Sequence, residues 1–383
     1  MNIFELKKIF KINNLKELYT YLYEIKECKK LGSLDELIKT KQIVLFGAGR
    51  IGKQVLNTLK KYGFKVAYFC DNNKDIWGDC IDGVYILPPN YIKNNIKDTL
   101  VIVSMMTYVE VIKQLESMNA QYIFSDIDGT LGFLPCPNLY NNIEKLKQVN
   151  DLFIDDFSKK VYLNVIKARI FQQLSFGLSG NLLIHPIVTG PQYFDTEFFI
   201  YTDNEIFIDC GAYDGDSTVE FFLTMHQLNL KNSKVYAFEP DRENYDNFLK
   251  TIENYNLNNV KIFNYGVGND NYNISMEQIQ NCRNNNEEYE IKICKIDDIV
   301  KNEPITFIKM DIEGFELDAL KGAENTIKNN KPKLAISIYH NSQDLYEIPL
   351  YLKSIVPEYK FFVRHHSNST IFETICYAYV DKE

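Results

Sequence analysis

The 383-residue chain has no stretch that approaches a membrane span: its longest apolar runs, VYLNVIKARIF and NLLIHPIV, stop well short of the roughly 20 residues a bilayer requires. It also lacks the uninterrupted apolar core of a secretory signal. The first residues, MNIFELKKIFKINNLKELYTYLYEIKECKK, alternate charge with apolar side chains at helical spacing and read as a surface helix. There is no CxxC pair and no Cys/His cluster at zinc spacing; Cys28, Cys70, Cys80, Cys136, Cys210, Cys282, Cys294 and Cys376 are scattered, as reduced thiols of a cytoplasmic protein would be. No Lys/Arg block is interleaved with aromatics, and the net charge is −9, which argues against nucleic acid as a partner. Repeats and low-complexity tracts are absent too, although NCRNNNEEYE near 281 to 290 reads as an exposed loop.

What is present is the balance of an ordinary globular protein, 45% hydrophobic and 24% charged, able to fold by burial. At about 100 to 200 residues per domain, the length suggests two or three units. Two segments share one grammar: an apolar strand, a glycine turn, a helix, and a second strand closed by an acid. The first is QIVLFGAGRIGKQVLNTLKKYGFKVAYFCDNN; the second is EIFIDCGAYDGDSTVEFF with KVYAFEPDRENYDNFLKTI. The expected organisation is therefore N-terminal helices over 1–40, a small Rossmann-like domain over 41–138, a helical connector over 139–192 and a second α/β domain over 193–383. Before that second sheet, LLIHPIVTGPQYFDTEFFIYTDNE reads as an irregular lead-in.

In the second domain, strand EIFID ends in Asp209, and Cys210, Gly211, Ala212, Tyr213, Asp214 and Gly215 form a sharp turn before a helix beginning near Ser217. Glycines there let the main chain approach a ligand, and the helix start offers N–H groups to a carboxylate. Asp209, Asp214 and Asp216 would repel a pyrophosphate but suit zwitterionic S-adenosylmethionine, whose amino group and sulfonium seek acidic partners. Strand KVYAFEP ends in Glu239, followed by Pro240, where a doubly wound sheet places the acid that binds ribose hydroxyls. Strand NVKIFNYGVG brings Gly266 to the expected adenine position. YEIKICKIDDIV has the alternation of a hairpin. PITFIKMD then ends in Asp311 ahead of Glu313, PKLAISIYH delivers His340 to the same edge, and EYKFFVRHHS with TIFETICYAYV reads as a terminal antiparallel hairpin. A parallel sheet finished by a reversed strand is the class I methyltransferase arrangement.

DCGAYDGDST, VYAFEP, ITFIKMDIEGFELDALKGA and KPKLAISIYH, in this order, resemble the FkbM family of S-adenosylmethionine-dependent methyltransferases over roughly residues 193 to 380. The resemblance implies O-methylation of a saccharide or a sugar-decorated product; SIYH stands where the family commonly carries an acid-bearing IEI-type ending. A sugar hydroxyl is a poor nucleophile, so a base should lie near it, and His340 and Asp311 are the candidates, His340 favoured. His365 and His366 sit on a loop that could also reach an acceptor. Asp311 with Glu313 could instead hold Mg²⁺, unless Glu313 is simply a first-turn acid favoured by the helix dipole.

In the first domain, Gly47, Gly49 and Gly52 form GAGRIG after IVLF, and Asp71 follows at the spacing of a dinucleotide fingerprint. Only TLVIVSMM and YIFSD supply further strands, which leaves little room for the catalytic half of a dehydrogenase. The expected ligand is a nucleotide, a nucleotide-linked sugar or NAD, unless the domain serves acceptor docking or homo-oligomer contacts. Asp126 to Thr130, DIDGT, copies the nucleophile loop of haloacid-dehalogenase-type phosphatases, but the strands that chemistry needs do not follow. Besides methyl transfer, two other functions fit the residues: an NAD-dependent sugar-modifying enzyme using the first domain, and a nucleotide-sugar binding protein on a degenerate methyltransferase fold.

Overall fold

The computed structural model describes residues 11–18, 20–21, 39–61, 63–105, 109–120, 122–125, 139, 142–171, 191–275, 290–367 and 372–381. The DIDGT motif, most of the N-terminal helix, the loop at 281–289 and the stretch 172–190 lie outside them. Two units emerge, the first within Met1–Lys147, Lys159–Ile187 and Ser367–Phe372, the second within Gln148–Ser158, Val188–His366 and Glu373–Glu383. Two helices, α3 (Ile143–Leu152) and α4 (Asp156–Phe171), occupy the stretch expected as a connector. Among the described residues no helix is long and apolar enough to cross a membrane.

The first unit is a six-stranded sheet in the order β3-β4-β2-β1-β5-β6. Its strands are β1 (Gln42–Phe46), β2 (Val66–Cys70), β3 (Cys80–Ile81), β4 (Val84–Leu87), β5 (Thr99–Val103) and β6 (Tyr122–Ser125), all parallel except β3. Helix α1 (Arg50–Lys61) turns Val55, Leu56 and Leu59 inward at helical spacing and ends on Lys60 and Lys61, charges that suit its C-terminal dipole. Helix α2 (Val109–Ser117) joins β5 to β6. The sequence reading did not assign the β3–β4 hairpin, yet its signal is an Asp-Gly pair: Asp82 (φ 50°) and Gly83 (φ 83°) both take the left-handed backbone of a tight two-residue turn.

The second unit is a seven-stranded sheet in the order β15-β16-β14-β13-β7-β8-β9. Its parallel strands are β7 (Ile206–Cys210), β8 (Lys234–Phe238), β9 (Val260–Phe263), β13 (Phe307–Met310) and β14 (Lys333–Ser337). β15 (Lys360–His365) and β16 (Thr374–Tyr379) close it, and β16 runs antiparallel to both of its neighbours, which makes this a class I methyltransferase sheet. Both faces of the central strands are covered, so β13 and β14 are buried at every residue, and apolar side chains dominate them apart from Lys309, Lys333 and Ser337. Helices α5 (Asp216–Gln227) and α6 (Arg242–Asn254) follow β7 and β8; α6 is capped by Asp241, whose carboxylate accepts the Asn244 N–H at 2.9 Å. Phe194, Phe207, Phe221 and Phe307 pack with ring centroids 4.9 to 5.6 Å apart, an aromatic core beneath the turn after β7.

One expectation is corrected. YEIKICKIDDIV is not a hairpin: β12 (Glu290–Cys294) pairs with β10 (Gly266–Val267) and, antiparallel, with β11 (Tyr272–Ser275), and KIDDIV forms the short helix α7 (Ile296–Val300). The alternation is real, burying Ile291 and Ile293, but Asp297 accepts the Asn325 and Thr326 N–H groups, which fixes the next segment as a helix. Helices α8 (Glu316–Gly322) and α9 (Glu324–Asn330) follow β13, and α10 (Asp344–Ile355) follows β14.

Candidate active site

Below the turn that follows β7 lies a buried ion pair. Asp209 is wholly buried, 3.2 Å from Lys309 Nζ, and its Oδ2 accepts the hydroxyls of Ser217 and Thr218 at 2.7 and 2.8 Å. Lys309 also donates to the Gly211 carbonyl at 2.6 Å. Burial pushes the Lys309 pKa down, but the charges of Asp209 and Asp311 outweigh it and hold the ammonium above its ordinary value. Asp209, expected to touch the ligand, is thus the anchor of the turn, because its oxygens are engaged by protein groups. Ala212 and Ser217 are buried with it. A Cβ on Gly215 would meet the Phe248 ring at 2.3 Å, and one on Gly211 would meet the Asp311 carbonyl oxygen at 1.9 Å, so close protein packing also requires these glycines.

Above the turn opens a cavity of about 570 Å³ whose wall includes Gly211, Tyr213, Glu239, Pro240 and Gly266 from the expected set, but not Asp209, Ala212, Asp214, Gly215 or Ser217. Glu239, 5% exposed, accepts the N–H groups of Tyr213 and Asp241, each at 2.9 Å. Burial drives its pKa up to about 7 against the pull of those two bonds. Tyr213, at φ 49°, is left-handed without being glycine and stands 45% exposed at the mouth. The Asn264 amide bonds the Glu239 and Pro240 carbonyls at 2.9 and 3.1 Å and so fixes the strand end that carries the acid.

The opposite wall carries Asp311 and Glu313. Asp311 accepts the Tyr193 hydroxyl at 2.9 Å and the Tyr339 hydroxyl at 2.8 Å. Its burial raises the pKa, yet Lys309, His340 and the two hydroxyls win and keep the carboxyl below the usual range. His340 does not line the cavity itself; it stands beside Asp311, with Nε2 3.5 Å from Asp311 Oδ1 and 3.7 Å from Glu313 Oε2, and Nδ1 2.8 Å from Glu316 Oε1. Burial lowers the imidazole pKa, but Glu316, Asp311 and Glu313 together hold it above its ordinary value. Atoms of Asp311, Glu316 and His340 lie within 4.8 Å of one another, near enough to share a cation. Glu313, at φ 58°, and Gly314, at φ 100°, turn the chain ahead of α8, and a Cβ on Gly314 would press on the Asn341 amide at 2.8 Å.

Gln192, Tyr193, Tyr339, Glu316 and Glu373 escaped the sequence reading. Tyr339 could have been found, since it neighbours His340 at the end of the same strand; Gln192 and Glu373 are 181 residues apart in sequence and meet only through the fold, with the Gln192 amide 2.5 Å from the Glu373 carboxylate. His365 and His366 do not face the cavity. His365 ends β15, wholly buried with Nδ1 2.8 Å from Thr374 Oγ1, and His366 Nε2 is 2.8 Å from the Tyr377 hydroxyl, its pKa pushed down to about 4 by burial and by Arg364.

In the first unit the glycine turn is also built by packing. Gly47 has φ 107°, and a Cβ on Gly52 would strike the Gly47 carbonyl oxygen at 2.0 Å, whereas Gly49 has open space. Asp71 accepts the Ala48 N–H at 2.9 Å and the Asn73 N–H at 2.9 Å, so both oxygens already serve the backbone. The buried Ser104 hydroxyl donates toward the Phe46 and Gly47 carbonyls, each at 3.2 Å.

Residues 209–363 match the family described as methyltransferase FkbM domain, and residues 39–122 match the C2185-like N-terminal family. The methyltransferase FkbM from Methylobacillus flagellatus KT superposes with a TM-score of 0.76 at 22% identity, covering 95% of this chain and 99% of that one. An rRNA methylase from Streptococcus thermophilus aligns over 47% of this chain and 89% of its own (18% identity, TM-score 0.31), and UDP-D-quinovosamine 4-dehydrogenase from Vibrio fischeri over 22% and 75% (23% identity, TM-score 0.19). No curated protein matches the chain. With the family match running from the β7 strand end to β15, and one fold shared along nearly the whole chain, residues 209–363 form a methyltransferase FkbM domain.

Proposed function

We propose that the chain is an S-adenosylmethionine-dependent O-methyltransferase acting on a hydroxyl of a saccharide, nucleotide sugar or glycoconjugate. The observation that carries this reading is that Glu239 and Asp311, from strands on opposite sides of β7, line one cavity of about 570 Å³. The donor set fits the cofactor: Glu239 accepts ribose hydroxyls, Gly266 and Val267 with Tyr265 form an apolar bed for adenine, and the main chain at Gly211 and Tyr213 lies beside the amino-acid portion. When bound, S-adenosylmethionine supplies a methyl carbon that an acceptor oxygen displaces in line, the electrons of the carbon–sulfur bond leaving with sulfur. Asp311 orients the acceptor hydroxyl and, as a pair with His340, receives its proton; Glu313 adds charge at the rim. Tyr193 and Tyr339 fix Asp311 and offer ring surface to a sugar.

A nucleotide or nucleotide-linked sugar is the ligand we assign to the first unit, where Gly47 and Gly52 set the turn that follows β1. Buried free thiols at Cys70, Cys210, Cys294 and Cys376 support a cytoplasmic setting. The test is incubation of the purified chain with methyl-labelled donor and a panel of sugars and nucleotide sugars, read by mass spectrometry. A product heavier by one methylene that disappears in Asp311→Asn supports the reading; donor binding without any O-methylated product across cell-surface saccharides contradicts the acceptor class.

A further inference from the structure

We infer that Asp311, Glu316 and His340 form a binding site for a divalent transition-metal cation at the acceptor end of the cavity. Three donors of complementary chemistry converge there: two carboxylates and one imidazole, with one ligand atom from each lying within 4.8 Å of the others. Ligands of a single ion at bond lengths of about 2.0 to 2.2 Å stand roughly 3 Å apart when adjacent and about 4 Å when opposed, so only a small contraction is needed to close the shell. His340 gives one ring nitrogen to such an ion, and the 2.8 Å from Glu316 Oε1 to His340 Nδ1 is in that range.

A second, independent observation points to a ligand. Glu316 is wholly buried, and although its Oε1 accepts the Ile312 N–H at 2.9 Å, its Oε2 has no hydrogen-bond partner among the described residues. A buried carboxylate oxygen left unpaired carries an uncompensated desolvation cost, and a cation beside it removes that cost. The His340 side chain is 10% exposed, and the 3.5 and 3.7 Å that separate its Nε2 from Asp311 and Glu313 exceed hydrogen-bond length. Glu313, 65% exposed, is free to swing in as a further oxygen ligand. An imidazole in the donor set favours Mn²⁺, Fe²⁺ or Zn²⁺ over Mg²⁺, which keeps to oxygen and water. The site therefore differs from the Mg²⁺ pair of Asp311 and Glu313 that the sequence suggests.

The purpose of such a cation rests on the methyl-transfer reading: Asp311 lines the cavity, so an ion on it meets the acceptor hydroxyl and makes it more acidic, and with Asp311 and His340 engaged as ligands the proton leaves to water instead of to that pair. Its existence does not rest on that reading and is measured without substrate. The full chain, stripped with chelator, is titrated with MnCl₂ while electron paramagnetic resonance reads the free ion. The expected result is saturable uptake of about one equivalent, weakened at least about tenfold in Asp311→Asn and in Glu316→Gln. Electron spin-echo modulation of the wild-type complex reads the imidazole directly, with a nitrogen coupling expected from His340 and absent in His340→Gln, so the answer does not hang on variants that fail to fold. No uptake, or uptake with no nitrogen coupling, overturns the site. Calorimetry with S-adenosylhomocysteine on the same samples separates the two ideas: loss of that binding alone contradicts methyl transfer, and loss of Mn²⁺ uptake alone contradicts the cation site.

Discussion

The turns after β1 and after β7 are built alike above and differently below. In each, an acid at the end of the neighbouring strand accepts a backbone N–H of the glycine loop at 2.9 Å, Asp71 from Ala48 and Glu239 from Tyr213. In each, a glycine is required because its Cβ would fall about 2 Å from a carbonyl oxygen, at Gly52 and at Gly211. Beneath the first turn stands a neutral hydroxyl, Ser104; beneath the second stands the Asp209–Lys309 ion pair, whose ammonium reaches both the turn and the field of Asp311. Glycine spacing therefore specifies a shape, and the charges under and around that shape specify a site.

The sharpest way to break the comparison is to remove the buried charge. Asp209→Asn leaves Lys309 buried without its counter-ion and should cost about 3 to 5 kcal/mol in urea denaturation, whereas Ser104→Ala under the first turn should cost only about 1 kcal/mol. Equal losses would mean that the two floors do the same work. Next in size is donor binding: Glu239→Gln should weaken S-adenosylhomocysteine about 10- to 100-fold by calorimetry, and Asp71→Asn should leave that affinity unchanged.

A smaller effect is the pH dependence that Glu239 brings. A carboxyl raised to about 7 in the folded protein, against an ordinary 4.5, binds more protons folded than unfolded between those values. Its contribution is thus fully present below the unfolded pKa and is lost as pH rises toward 7, at a slope of up to about 1 kcal/mol per pH unit. Denaturation curves from pH 5 to 8 should show that slope in the wild type and a flatter profile in Glu239→Gln; identical profiles would remove the buried acid from the account. The smallest effect is Gly49→Ala, which meets open space and should change stability by no more than about 0.5 kcal/mol.

Much of the second unit was legible in the residues because its signals are local. An apolar run ending in an acid marks a parallel strand and the edge that faces the cavity, as at Glu239 and Asp311, and the reversed β16 follows from the apolar pattern of TIFETICYAYV. What escaped depends on distance in sequence. Nothing at Gln192 or Glu373 signals a cavity, because each acquires its role only when the sheet brings the two together. Asp209 misled for the opposite reason: an acid at a strand end reads the same whether it faces a ligand or, as here, a lysine on the adjacent strand, and only the β7–β13 register pairing Asp209 with Lys309 distinguishes them. The β3–β4 hairpin carried its Asp-Gly signal openly, but two short strands give too little alternation to be recognised.

The most direct measurement is isothermal titration of the ligand-free full-length chain with S-adenosylhomocysteine. One saturable site per chain, abolished or severely weakened in Glu239→Ala with the fold intact by circular dichroism, is the result predicted for a cavity walled by Glu239 and Asp311. Absence of any binding heat, or an unchanged affinity in Glu239→Ala, would contradict it.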